Sequence, residues 1–335
     1  MTSSTLPLSL RHSMRPIDIF AKRHYRQFTH PDVIKFENTF TGGLSDSYKY
    51  VMVATPYPYY DEEYENPYII VSNDGISFVE DAIPNPIEPY PGRDYHNSDP
   101  DIVYVEGFFH LFWRLRQIST NRGWIMVRKS RDLVNWSKKY ECSISPAPLS
   151  PAVLYDIHEN LWKMWGVVES EWRVAYYESV DGLEWEFGGY TNIPQHILWN
   201  CSKLYCWHLD VNKTRLGKKY LTLLVYANGP GGSAPTCLFY GESDDGIDWV
   251  VYRDPVLAPL PNSWQSSKIY RSTFIIEEGK FKVWYSAASS GSFLRRLNIK
   301  LLGRKIGCGR WGIGYTVTSV DFVSKKETTL NVISE

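Results

Sequence analysis

Five short polar stretches of this chain stand directly before or within apolar runs. They are His30-Pro31-Asp32, His96-Asn97-Ser98-Asp99-Pro100-Asp101, Ser150-Pro151, Trp207-His208-Leu209-Asp210 and Tyr270-Arg271-Ser272. A packed interior does not choose such residues. If the apolar runs converge, these carboxylates, imidazoles and one guanidinium converge with them. A desolvated cluster of this kind shifts its own pKa values, which is what acid–base chemistry needs. The competing reading is that the groups satisfy one another, or hold a channel water or ion. A second set lies where the following apolar runs end: Tyr57, Tyr59 and Tyr60 with Asp61, Glu62 and Glu63; Arg114 and Arg116; Glu169, Glu171 and Trp172; Asn228 and Gly229. Rings stack on the C–H faces of sugars, and charged side chains bond hydroxyls in pairs. A wet protein-binding surface uses the same residue types.

The elements that must position these groups are repeated. The phrase Ser-x-Asp-Gly-apolar-x-aromatic recurs as SNDGISF at 72–78, SVDGLEW at 179–185 and SDDGIDW at 243–249. SRDLVNW at 130–136 carries Leu133 in place of Gly. Asp bonds nearby backbone amides and Gly accepts positive φ, so each phrase is a tight turn. Three β-rich runs precede each turn, such as DIVYV, FFHLFWRLR and WIMVRKS in the second repeat. Alternation and β-branched or aromatic content mark them as strands. Five such units predict an all-β chain, a five-bladed β-propeller with four-stranded antiparallel blades. Residues 1–29 form an N-terminal extension and 30–335 one domain, with blades beginning near 30, 96, 150, 207 and 270. The fifth turn is degenerate, around Ser319, Asp321 and Phe322. Short helices are conceivable in 11–28 and 293–305. The tail 328–334, or the segment after Arg15, is expected to close the ring. In this architecture the blade-opening residues and second-strand ends share one face, and the Asp74, Asp132, Asp181 and Asp245 turns lie on the other as structural devices.

Composition narrows the function classes. With 36 Lys plus Arg against 37 Asp plus Glu, the chain is near neutral. That gives no global argument for nucleic acid or an anionic membrane. Aromatic residues make up 15 %, a content suited to packed sheets, ligand stacking or both. No run approaches the roughly 18 apolar residues of a membrane span. MTSSTLPLSLRHSMRPIDIF reads as no secretory signal, so the expected location is cytoplasmic; a phage or virion protein would look the same. Five cysteines without a CxxC pair suggest reduced thiols. No nucleophile elbow, Walker loop or HExxH motif occurs. No cofactor and no metal motif are expected, although Asp and His side chains leave room for a channel cation.

The phrase SDPDIVYVEGFFHLFWR at 98–114 resembles the second-blade opening of glycoside hydrolase family 43. The Asp-Gly turns are similar to those of the five-bladed glycosidases, including families 32, 43, 62, 117 and 130. The resemblance spans roughly residues 30–325. It implies a base in blade one, a pKa-tuning Asp opening blade three and an acid Glu in blade four. Asp32 matches the base. Ser150 stands where the tuning Asp is expected, and His208 or Asp210 stands nearest the acid.

The expected function is a glycosidase-like enzyme acting on a glycan or glycoconjugate. Asp32 would be base, Asp210 or Glu169 acid, with Asp101 and Arg271 tuning and positioning. His30, His96, Asp99, Arg114, Trp172, His208, Arg271 and Tyr57 would bind substrate, possibly an anionic carbohydrate. Phosphorolysis is a variant, with Arg114, Arg116 and Arg271 holding phosphate. The alternatives are a non-catalytic carbohydrate-binding propeller and a protein-interaction scaffold. The scaffold would use the basic loop at 293–310, with Arg295, Arg296, Lys300, Arg304, Lys305 and Arg310.

Overall fold

The structure is a computed structural model, and it describes residues 8, 10–20, 26–213, 220–229, 232–291, 309–319 and 332–333. Nearly all regular structure is β, and no α-helix occurs among the described residues. No helix there is long and apolar enough to cross a membrane. The first repeat contains β2 (Phe28–Phe40), β3 (Tyr48–Pro56), β4 (Tyr68–Ser72) and β5 (Ser77–Val79). Its sheet is extended by β1 (Asp18–Phe20) on β5 and by β22 (Val332–Ile333) on β2, both parallel. Within the stretch 11–28, the described residues hold a strand at 18–20 and no α-helix, and residues 21–25 lie outside them. The second repeat is a four-stranded sheet of β6 (Tyr95–Val105), β7 (Phe108–Gln117), β8 (Arg122–Ser130) and β9 (Tyr140–Glu141). The third is β10 (Ala152–Asp156), β11 (Leu161–Val168), β12 (Arg173–Ser179) and β13 (Glu186–Tyr190). An eight-stranded sheet holds the rest. It runs from β14 (His196–Trp199) through β15 (Ser202–Lys213), β16 (Tyr220–Ala227) and β17 (Thr236–Ser243), with β18 (Trp249–Val251) also on β17. The pair Thr236↔Lys268 joins β17 to β19 (Lys268–Glu277), β20 (Lys280–Ala288) and β21 (Trp311–Ser319). The β14 hairpin is an addition that the repeat did not announce.

The apolar core lies between repeats. Ile34, Val51 and Val71 of the first pack on Leu111, Trp113 and Met126 of the second. Phe112, Ile125 and Val127 meet Met164, Ala175 and Tyr177 of the third. Trp165 and Tyr176 meet Leu209, Tyr226 and Phe239 of the fourth. Leu223, Val225 and Tyr240 meet Phe274, Val283 and Tyr285 of the fifth. Finally Ile275, Trp284 and Ile313 pack back on Val33, Met52 and Ile70 of the first. Each strand pair thus presents apolar side chains to both neighbouring repeats, which explains why so few strands show a clean polar alternation.

The Asp turns do two things. Within a turn, Asp74 Oδ1 accepts from the amides of Ile76 (2.8 Å) and Ser77 (2.7 Å), and Ser72 Oγ from Gly75 (2.9 Å). The same bonds recur at Asp132, Asp181 and Asp245. Between repeats, the Gly246 carbonyl accepts from Trp165 Nε1 (2.7 Å) and the Gly75 carbonyl from Trp284 Nε1 (2.7 Å). Gly246 has φ +79°, and an added Cβ would sit 2.8 Å from Trp165. An ionic clasp is also repeated. Asp156 at the end of β10 binds Lys213 of β15, with Lys163 at 3.9 Å and the Tyr220 hydroxyl donating at 3.2 Å. Glu277 at the end of β19 binds Lys282 and Lys35 of β2 in the same way, beside Tyr50. The calls on 293–305, on Asp321 and Phe322 of the fifth turn, and on most of the tail lie outside the described residues.

Gly246→Ala should cost about 1–3 kcal/mol, because it adds steric overlap to backbone strain. Gly279→Ala is the control: it has φ +68° with nothing within 4 Å of an added Cβ. It should cost only the backbone part. Urea denaturation of both variants checks this; equal losses would contradict the packing role of Gly246.

Candidate functional site

Four innermost strands carry a bulge at the same height. The register shifts between Thr29 and Asp32, Ser98 and Asp101, Cys206 and His208, and Ile269 and Ser272. A bulge adds one residue and re-aims the side chains beside it. His30 (φ +55°) and Asp99 (φ +50°) sit in left-handed conformations within two of them. The opening residues then fall into two layers.

The lower layer is a carboxylate girdle. Asp32 Oδ2 accepts from the Ile102 amide of the second repeat at 2.6 Å. Its Oδ1 accepts from the Val33 amide (2.9 Å) and from the Thr273 hydroxyl of the fifth repeat (2.9 Å). Asp101 Oδ1 accepts from the Val153 amide of the third at 3.4 Å. Asp210 Oδ2 is buried without a partner. Oxygens of Asp32, Asp101 and Asp210 lie within 4.8 Å of one another, close enough to hold a cation. Burial, then the Asp32 charge, pushes Asp101 well above its ordinary value and Asp210 up to about 8; Asp32 itself is raised by burial. Three buried carboxylates this close cannot all ionise cheaply.

The upper layer holds the more varied chemistry. His30 Nδ1 lies 2.8 Å from Thr55 Oγ1 and 3.2 Å from Glu65 Oε1. Its Nε2 is 3.7 Å from Asp99 Oδ1. Arg271, 2 % exposed, places Nη1 3.6 Å from Asp99 and Nη2 3.6 Å from Asp101. Its Nη2 also donates to the Pro151 carbonyl at 3.3 Å. The third repeat, with Ser150 and Pro151 at its opening, thus meets the layer through that carbonyl. Burial, reinforced by Arg271, keeps His30 neutral with a pKa near 4, although Asp99 opposes this. His208 is pushed well below its ordinary value by burial, then Arg271 and His30, and both its ring nitrogens lack partners. Burial, then Asp99 and Glu62, pushes Glu65 well up. Burial also works against ionised Asp99, but His30, Arg271 and Arg114 outweigh it and hold it below its ordinary value. The layer therefore gathers in one buried cluster a carboxylate held low, one pushed well up and imidazoles whose protonation burial disfavours. Those carboxylates and imidazoles are also the donor set a divalent cation would use.

Of the site residues expected from the sequence, Asp32, Asp101 and Asp210 form the girdle, and His30, Asp99, His208 and Arg271 the layer above. His96 is buried at the mouth, its proton affinity lowered by burial despite Glu62. Arg114 pairs across the strands with Ser98, beside Asp99, and its Nη2 stands 4.0 Å from Oε2 of Glu169. Trp172 belongs to a rim cluster with Tyr205 and Trp207, ring centroids 6.1 and 5.8 Å away. Tyr57 belongs to an opposite one with Tyr60 and Trp311. Tyr270 links the two, accepting from Trp207 Nε1 at 2.5 Å and packing on Trp311. Sequence reasoning missed Glu65, Thr55 and Trp311. Glu65 follows two 3₁₀ turns (Pro58–Tyr60 and Glu62–Tyr64) that bring it back toward the axis. Its signal was the acidic, tyrosine-rich run after β3, which did not single out the inward carboxylate. Much of the basic loop lies outside the described residues.

The girdle has a pH signature. Asp210 is ionised in the unfolded chain above about 3.8 but keeps its proton in the fold up to about 8. Its contribution is fully present below the unfolded value and lost as pH rises through the folded one. His30 works oppositely, costing stability as pH falls from 6.5 toward 4. Asp210→Asn should gain stability relative to wild type as pH rises from 4 to 8. Thermal melts across that range check it; a constant difference would show that Asp210 does not hold the proton.

No protein-family model matches the chain. It is 28 % identical to an A type blood N-acetyl-α-D-galactosamine deacetylase from Flavonifractor plautii, an alignment covering 88 % of this chain. The chain spans 45 % of the length of that curated relative. A crystal structure of an N-acetylgalactosamine deacetylase from F. plautii, in complex with blood group B trisaccharide, superposes with a TM-score of 0.77 at 25 % identity. The match covers 94 % of this chain and 96 % of that one. A thermostable family-43 glycoside hydrolase matches with a TM-score of 0.59 at 12 % identity, over 91 % and 93 % of the two chains. A bovine ruminal metagenomic exo-1,5-α-L-arabinanase matches at 0.53 and 13 %, over 86 % and 92 %. The chain has the fold of the propeller glycoside hydrolases, and its relatives are carbohydrate-active enzymes.

Proposed function

We propose that this chain is a carbohydrate-processing hydrolase whose upper axial layer removes the acetyl group from an N-acetylated hexosamine. The supporting scaffold is read as five blades. The eight-stranded sheet then counts as two, joined by the Thr236↔Lys268 pair, and five apolar layers return from the fifth repeat to the first. The observation that carries the function is the division of labour between the two layers. Asp32, which a glycosidase mechanism would need as a free base, has both oxygens engaged by Val33, Ile102 and Thr273. The layer above instead sets Asp99, held low, and Glu65, pushed well up by burial, on either side of His30, whose protonation burial disfavours. That pairing suits amide hydrolysis. The likeness to N-acetylgalactosamine deacetylase of F. plautii, in sequence and in structure, supports the same choice.

In the proposed reaction Asp99 takes a proton from water as its oxygen attacks the acetyl carbonyl. Arg271 stabilises the oxyanion that forms. Glu65 gives its proton to the sugar nitrogen, the C–N bond breaks, and acetic acid and the free amine leave, the acid passing its proton to the amine in solution to give acetate and the ammonium form. His30, between Glu65 and Asp99, returns the proton from one carboxylate to the other. The aromatic rims would hold the sugar faces.

The test is release of acetate from N-acetylgalactosamine- and N-acetylglucosamine-terminated glycans, with chelator and with added divalent cations. Asp99→Asn and Glu65→Gln should each lower kcat by about 10²–10⁴-fold with the fold intact by circular dichroism. Asp32→Asn should act chiefly on stability. Release of free sugar without acetate would contradict the proposal and favour the glycosidase reading.

A further inference from the structure

We propose that the junction between the second and third repeats is an extension of the binding site, a groove for the further sugars of an oligosaccharide. The inference rests on the carbohydrate-processing reading of the axial layer. Two cavities lie at this junction. One, of about 360 Å³, is bordered by Arg114, Glu169 and Ser170. The other, of about 380 Å³, is bordered by Trp124, Glu141, Ser143 and Trp185. They share Gly123 and Ala147, so they are neighbours, and the proposal reads them as one path.

The inner end of this path reaches the axial layer electrostatically. Arg114 is buried and pairs across the strands with Ser98, the residue before Asp99, so its charge acts on both Asp99 and Glu65. Its guanidinium stands 4.0 Å from Glu169, beyond a hydrogen bond. A sugar hydroxyl between them would accept from one and donate to the other. Where the two cavities meet, Gly123 lets the Arg114 side chain lie close against the backbone, since a Cβ there would sit 3.0 Å from Arg114 Nε. Farther out, half-buried Trp124 offers a ring, with the Arg122 guanidinium 5.3 Å from its centroid. The exposed Glu141 and Ser143 stand beside it. A ring with hydrogen-bonding groups at its edge is the chemistry of a pyranose subsite. Each cavity is near the lower end of the roughly 300–1,000 Å³ of ligand sites. Together they accommodate a chain of sugars better than a single one. The substrate class is thus an oligosaccharide ending in an N-acetylhexosamine, its remainder leaving along this groove.

The experiment measures binding first and turnover second. Isothermal titration compares N-acetylgalactosamine with tri- and tetrasaccharides that end in it, using wild type, Trp124→Ala and Ala147→Phe. Ala147 lies at the join, and the larger ring should block it. The longer glycans should bind wild type at least tenfold more tightly than the monosaccharide, and both variants should lose that gain while keeping monosaccharide affinity. Trp124→Ala tests the stacking ring if Ala147→Phe disturbs the fold. Equal affinity for short and long glycans, no glycan binding, or an unchanged gain in Trp124→Ala would overturn the groove. Tighter binding of the longer glycans without acetate release would instead overturn the deacetylase reading and leave the groove standing.

Discussion

Arg271 is the charge around which the centre of this protein is organised. It is almost wholly buried, and it faces Asp99 in one layer and Asp101 in the other. A buried guanidinium is costly unless paired, and buried carboxylates equally so. Converging strands force such groups together, because the axis has no room for a hydrated charge. The arrangement resolves this by unequal ionisation. Asp99 keeps its charge beside Arg271 and His30, while Asp101, Asp210 and Glu65 are driven toward their protonated forms. A scaffold requirement and a reactive poise therefore have one electrostatic origin.

On the proposed reading, the two layers divide structural from chemical work. In the girdle, side chains of one repeat cap amides or meet hydroxyls of another: Asp32 with Ile102 and Thr273, Asp101 with Val153. The groups above are less fully engaged, and His208 keeps two unpartnered nitrogens. Unsatisfied buried polar groups are rare enough in folded proteins that they invite a functional explanation. The bulges separate the two roles. They change the register of each inner strand just above the girdle, and so present His30 and Asp99 from strained backbone.

Much of this was legible in the sequence where a residue's chemistry and its local spacing act together. The Asp turns were readable because Asp74, Asp132, Asp181 and Asp245 bond amides two and three residues on. The opening residues were readable because His30, Asp99, His208 and Arg271 are too polar for the strands they begin. What stayed hidden depends on distant partners. Nothing local says that Trp165 donates to the carbonyl of Gly246, or that Glu65 rather than Glu62 turns inward. A matched position is also weaker information than a hydrogen-bond partner list. Asp32 falls where a family-43 base is expected, yet its oxygens meet Thr273 and Ile102 from other repeats. Glu169 follows β11 as expected, with its Oε2 4.0 Å from Arg114 Nη2.

The central claim is that the upper layer, not the girdle, receives the reacting group. The most direct measurement is a crystal structure of the Asp99→Asn variant with an N-acetylgalactosamine-terminated trisaccharide bound. The account requires the acetamide carbonyl to lie within hydrogen-bond reach of Arg271, with its nitrogen on the Glu65 side. A glycosidic oxygen positioned over Asp32 and Asp210, with the acetamide pointing to solvent, would contradict it.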